Sequence, residues 1–253
     1  RTLDNSGELL NDVRNRLTEW SKLSRNTLAL VLNAGDGLLL GEFLRQISEE
    51  TVYALVNSKQ EKQILNGFFT NPSSGIKPKI AHEVSTNPES FEIADLRFER
   101  IVGRNVLQKH VDKSGFLETL KPWISAEGVL VFGETVPALG QRLSDLIPEK
   151  LLKPELRKSL KTAEEEIYHD AENSRSNWTP STLLTELESA NWNIKRWQVK
   201  EFSTPTMIHS TQIETWFAMQ ADSPHSSYGQ RLSTHFLPEQ LHDLHETFRS
   251  EVA

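Results

Sequence analysis

The sequence predicts an α/β fold, a doubly wound and mostly parallel sheet flanked by helices, with a helical C-terminal extension. Three observations carry this. Residues 28–32 (LALVL) are an unbroken apolar run, the pattern of a strand buried on both faces of a parallel sheet. The run stops at Asn33-Ala34-Gly35-Asp36-Gly37, and Leu38, Leu39, Leu40, Phe43, Leu44 and Ile47 then recur at helical spacing. Strand, glycine turn and helix in that order form the nucleoside- or phosphate-binding opening of such a fold. Finally, five strand-like runs alternate with helical ones, the signature of a layered α/β domain.

Taken in order, residues 3–24 predict a helix, with Leu9, Leu10, Val13, Leu17, Trp20 and Leu23 near one face. The first strand and its glycine turn follow, then a helix over 38–47. Residues 51–56 (TVYALV) are rich in β-formers and predict the second strand, followed by a helix over 59–69. A loop by composition, Asn71-Pro72-Ser73-Ser74-Gly75, leads to a short third strand within 76–84. The fourth strand is expected over 98–103, a helix over 112–121, the fifth strand over 128–134 and a helix from Leu139 to Ile147. Beyond residue 150 the pattern predicts helices over 154–172, 179–188 and 237–248, with a sixth strand over 192–202. Glu164, Glu165 and Glu166 read as a solvated face. The organisation expected is an N-terminal helix over 1–26, a nucleoside-binding core over 27–150, and a continuation of the same domain over 151–253.

Composition narrows the function classes. The 253 residues are enough for one large α/β domain. The net charge of −7 opposes a broad nucleic-acid surface, because duplex binding rests on clustered positive charge. Lys195, Arg196 and Lys200, interleaved with Trp192 and Trp197, form the one candidate basic-aromatic strip, and their alternation fits a half-exposed strand better than base stacking. No apolar run approaches the ~20 residues that span a bilayer. With no cysteine there is neither a disulfide nor a thiolate metal site, and a cytoplasmic location is expected. His242 and His245 stand three apart on a helix without a sequence-defined third ligand, so no metal is expected. The chain begins at Arg1 rather than Met, and a piece of a larger polypeptide is the expectation.

Read together, LALVLNAGDGLL, VYALVNS, FERIVGRNVL and ISAEGVLVFGET resemble, in order and spacing, the motifs of class I S-adenosylmethionine-dependent methyltransferases. The resemblance covers residues 25–150 and, more loosely, 175–202. It implies a Rossmann-like fold, S-adenosyl-L-methionine as cofactor, and methyl transfer to a small molecule or a protein group. It implies cofactor-binding roles for Asn33, Gly35, Asp36 and Gly37 in the glycine turn, and for Asn57 at the end of the second strand. Glu83 past the third strand, and Arg104 with Asn105 past the fourth, complete the set. His110, three residues beyond Leu107, is the candidate base.

The sequence also departs from the family pattern. Leu39 stands at the third glycine of the turn, Asn57 and Asn33 where acids are common, and Glu99 at the fourth-strand acid, and no NPPY-type tetrapeptide follows that strand. The alternative reading is therefore a catalytically inactive, methyltransferase-like interaction or regulatory module. The chain as a whole also resembles the C-terminal extension fused to some AAA+ ATPases of the RarA recombination-factor type, which would make such a module part of a larger fusion protein. A nicotinamide-binding protein is disfavoured, because the glycine for close helix–strand packing is missing.

Overall fold

The computed structural model describes residues 6–69, 78–82, 95–203, 207–219 and 226–252. Five strands form one sheet in the order β3-β2-β1-β4-β5, and every neighbouring pair is parallel. The strands are β1 (Ala29–Leu32), β2 (Val52–Val56), β3 (Lys79–His82), β4 (Phe98–Arg104) and β5 (Ile124–Gly133). All four residues of β1 and all five of β2 are buried, as parallel strands covered on both faces must be. Register sets Leu30 beside both Tyr53 and Ile101, so the three inner strands end at one edge.

Helices cover this sheet in the predicted alternation: α1 (Ser6–Ser21), α2 (Leu38–Gln46), α3 (Lys59–Phe69) and α4 (Lys113–Leu120). The apolar face of α2 buries Leu39, Leu40 and Phe43 in a cluster with Ala29, Val31, Val52, Ala54 and Val102. Each such side chain contributes about 1.5–3 kcal/mol by leaving water. From α1, Leu17 joins this core, with Val13 and Trp20 packed beside it. Val13 and Leu17 lie against Gly133, where a Cβ would stand 3.2–3.3 Å from their methyl groups.

The chain divides into two compact units, one of residues 6–135 with 180–199, the other of 136–179 with the described part of 200–253. The first holds the sheet, and in it α6 (Pro180–Ser189) packs on α4. The second is helical, built from α5 (Pro154–Tyr168), α7 (Ser210–Phe217), α8 (Tyr228–Leu232) and α9 (Pro238–Glu251). Its core is Leu160, Ile213, Leu232, Leu244, Phe248 and their neighbours.

Three expectations differ from what the chain does. The helix expected from Leu139 to Ile147 is instead a pair of 3₁₀ turns, Pro137–Leu139 and Leu143–Leu146, separated by Gly140, which has no side chain to favour a continuous helix. The sixth strand expected over 192–202 is absent: the described residues 192–203 carry no regular structure. Trp192 and Ile194 are half-buried, but Trp197, Val199 and Phe202 are exposed, so no apolar face pins a register. Glu164 is not solvated but buried, where its Oε1 accepts from the Tyr228 hydroxyl at 2.8 Å and the Ser144 amide at 3.0 Å. Those partners replace water for a group that is otherwise expensive to bury.

Candidate functional site

An open parallel sheet places its ligand crevice at the carboxyl ends of the strands, where the chain reverses its winding direction. With the order β3-β2-β1-β4-β5 that point lies between β1 and β4. Six polar side chains meet at this edge, Asn33, Asp36, Asn57, Glu61, Arg104 and Lys109, from the ends of β1, β2 and β4 and the segments that follow them.

Asn33 ends β1 in the left-handed region, φ 52° and ψ 44°, a conformation asparagine tolerates better than most residues. Its Nδ2 donates to the carbonyls of Arg104 at 2.8 Å and Asn105 at 3.2 Å, tying the end of β1 to the end of β4. Its Oδ1 accepts from Asn57 Nδ2 at 2.8 Å and from Lys109 Nζ at 2.5 Å. Lys109 Nζ also donates to Asn57 Oδ1, so one ammonium joins the amides that close β1 and β2.

The glycine turn is a 3₁₀ turn over Ala34–Asp36, closed by Gly37 at φ 71°. Asp36 Oδ1 accepts from the Leu38 amide at 3.0 Å, at the start of α2, and Asp36 Oδ2 pairs with the Arg104 guanidinium. Gly35 faces the end of the Glu61 side chain. A Cβ there would stand 2.6–2.9 Å from the Glu61 carboxylate. Glu61 folds back from the first turn of α3, where its Oε2 accepts from the Asn57 amide at 2.8 Å and Ser58 Oγ accepts from the Glu61 amide at 3.1 Å. The acid absent from position 57 is thus present at the same strand end, on a side chain four residues later.

The segment after β4 is fixed by the end of β5. Asn105, at φ 52°, donates its amide to the Gly133 carbonyl at 2.9 Å and accepts on Oδ1 from the Thr135 amide at 2.9 Å. Gln108 Nε2 donates to the Thr135 carbonyl at 2.9 Å. Glu134 Oε1 accepts from the amides of Val106 at 2.8 Å and Leu107 at 3.1 Å, while its Oε2 is buried without a hydrogen-bond partner. Burial pushes the Glu134 carboxyl up to about 7, opposed by those backbone amides. Nearby Lys113 is buried and donates from Nζ to the His110 carbonyl at 3.1 Å. Burial lowers its pKa against the pull of Glu186, Glu134 and Asp112.

Of the residues singled out from sequence, Asn33, Gly35, Asp36, Gly37, Asn57, Arg104 and Asn105 gather at this edge of the sheet, and Glu83 lies outside the described residues. The His110 ring stacks on Phe116 with centroids 3.7 Å apart. Burial, then the charges of Lys109 and Lys113, push its pKa down to about 4, so the ring is neutral at pH 7. Glu61, Lys109 and Glu134 were not singled out. Glu61 carried a signal, since Ser58-Lys59-Gln60-Glu61 is a capping-box pattern; nothing local marks the other two. In the basic-aromatic strip, the Arg196 guanidinium lies over Trp20 at 5.6 Å and 3.9 Å from Glu19, and Lys121 lies over Trp192 at 5.0 Å. Among the described residues no three His, Asp or Glu side chains group to hold a metal, and no helix is long and apolar enough to cross a membrane.

The strand order and the parallel pairing of every neighbouring pair define a doubly wound, Rossmann-like α/β domain. No protein-family model matches the sequence, and no curated protein matches it. Solved structures similar to it include a SAM-dependent methyltransferase from Aquifex aeolicus, at 14% identity and a TM-score of 0.49, over 72% of this chain and 81% of that one. The YcgJ protein from Bacillus subtilis matches at 13% identity and a TM-score of 0.48, over 71% and 68%. A SAM-dependent methyltransferase from Clostridium acetobutylicum matches at 17% identity and a TM-score of 0.37, over 49% and 48%.

Proposed function

We propose that this domain binds S-adenosylmethionine in the crevice between the ends of β1 and β4 and transfers its methyl group to a small molecule or a protein side chain. The observation that carries the reading is the polar cluster at the topological switch point, Asn33, Asp36, Asn57, Glu61 and Arg104 around a left-handed glycine turn.

The chemistry of the donor set fits the cofactor. A nucleoside needs an acceptor at the end of the second strand for its ribose hydroxyls, and Glu61 with Asn57 supplies a carboxylate and an amide there. The amino-acid end of the cofactor carries an ammonium and a carboxylate, and the Asp36–Arg104 pair offers the complement of each. S-adenosylmethionine supplies an electrophilic methyl on a sulfonium. The chain's part is then to hold the acceptor in line, an effect of proximity and orientation, and to take a proton where the acceptor has one to lose. His110, neutral at pH 7, is the base this reading assigns.

A second reading rests on one observation: Lys109 Nζ bonds the amide oxygens of both Asn33 and Asn57, so the crevice is closed by the chain's own side chain. In that reading the domain is an inactive methyltransferase-like interaction module of a larger polypeptide, such as an AAA+ ATPase fusion. Titration calorimetry with S-adenosylmethionine and S-adenosylhomocysteine separates the two. Saturable binding, with a shift in unfolding of about 2.7 kcal/mol at 100 times the dissociation constant, supports the first. No heat and no shift at millimolar ligand leaves the second.

A further inference from the structure

The two amides at the switch point already have an occupant. Lys109 Nζ is 2.5 Å from Asn33 Oδ1 and hydrogen-bonded to Asn57 Oδ1, while Asn57 Nδ2 bonds Asn33 Oδ1 at 2.8 Å. The ammonium caps a pair of side chains that are linked to each other without it.

The platform that delivers Lys109 is rigid. The stretch Asn105–Gln108, immediately before it, is fastened to Gly133–Thr135 by five hydrogen bonds: the Asn105 amide to Gly133, the Thr135 amide to Asn105, Gln108 to Thr135, and the Val106 and Leu107 amides to Glu134. The backbone of Lys109 is thereby held beside the strand ends, and its exposed four-carbon arm carries the ammonium to the two amides.

We propose that Lys109 is an intramolecular occupant of the crevice, a charged side chain that has to leave before a nucleoside cofactor can use Asn33 and Asn57, and that it discriminates against a cationic cofactor. This rests on the cofactor reading above and deepens it. Two costs follow for an incoming ligand. It must break the two hydrogen bonds that Lys109 makes to the amides, both from a charged donor and so stronger than neutral ones. A sulfonium entering beside the displaced ammonium also meets a like charge, which disfavours it. The thioether of S-adenosylhomocysteine carries no such charge. The wild-type chain is therefore selective for the product-like, uncharged sulfur, and Lys109 is the source of that selectivity.

The test is calorimetric titration of wild type, Lys109→Ala and Lys109→Gln with S-adenosylmethionine and with S-adenosylhomocysteine, at one ionic strength. The Asn33–Asn57 bond does not depend on Lys109, and the side chain is exposed, so both variants keep the fold, checked by circular dichroism. Lys109→Ala is expected to tighten S-adenosylmethionine about tenfold and S-adenosylhomocysteine by less. Lys109→Gln keeps an arm of similar length without charge, and is expected to bring the ratio of the two affinities to that of the Ala variant. S-adenosylmethionine bound no tighter by Lys109→Ala than by wild type, or an unchanged affinity ratio, overturns the proposal and leaves the cofactor reading standing. Absence of binding by all three proteins overturns the cofactor reading, and the proposal with it.

Discussion

Glu134 offers a pH test of how the end of β5 is built. Its Oε1 takes two backbone amides and its Oε2 none, and burial raises its pKa from 4.5 to about 7. A carboxyl whose folded pKa lies above its unfolded one contributes stability that is complete below pH 4.5 and is lost as the pH rises through about 7. The gap between 4.5 and about 7, at ~1.36 kcal/mol per pH unit, amounts to about 3 kcal/mol. Glu134→Gln keeps a carbonyl to accept from Val106 and Leu107 and has no charge to bury. Between pH 4.5 and 8 the wild type is therefore expected to lose about 3 kcal/mol relative to this variant. His110 acts with the opposite sign: its pKa falls from 6.5 to about 4, so its contribution is complete above pH 6.5 and lost as the pH falls through about 4. The windows overlap, and only the difference between wild type and variant isolates Glu134. Urea unfolding at half-unit pH steps, followed by hydrogen exchange of the β4 and β5 amides, measures it. Parallel pH profiles for the two proteins would refute a buried carboxylate at the end of β5.

Other substitutions report on the crevice and on the helical unit. Asn57→Asp introduced together with Lys109→Ala is expected to tighten S-adenosylmethionine about fivefold to tenfold over Lys109→Ala alone, through a charge-assisted bond; unchanged affinity in calorimetry removes residue 57 from the site. Gly37→Ala forces a side chain to φ 71°, with its Cβ 3.3 Å from a Leu65 methyl, and is expected to cost about 1–2 kcal/mol in urea unfolding. Tyr228→Phe removes the hydroxyl that donates to the buried Glu164 at 2.8 Å and is expected to cost about 1.5–3 kcal/mol in the unfolding of the helical unit. A loss under about 0.5 kcal/mol would place Glu164 in contact with water.

The sheet was legible because each inner strand carries its own local signal. LALVL and VYALV are apolar on both faces, which only a covered parallel sheet accommodates, and the turn between β1 and α2 announces itself with two glycines. The polar cluster could be anticipated where its residues lie at a strand end or in the glycine turn, as Asn33, Asp36, Asn57 and Arg104 do. Lys109 and Glu134 could not be, because their partners lie 76 and 28 residues away and no periodic pattern encodes that meeting. The segment 192–202 misled for a physical reason. Alternation of Trp, Ile, Trp and Val with polar residues describes a half-buried strand, but it cannot say whether a neighbouring strand is there to pair with it. Glu164 was misread in the same way, since a run of three glutamates looks solvated until Tyr228 arrives from 64 residues away.

The Asn33 amide, bonded to the carbonyls of both Arg104 and Asn105, stitches together the two banks of the fissure it borders. Together with the Asp36–Arg104 pair it makes a seam of a few discrete bonds, which does not stretch by degrees: each is fastened or released. Widening of the fissure is then expected as a jump between two discrete arrangements, visible in relaxation-dispersion spectra as exchange centred on residues 33, 104 and 105 and missing from β3.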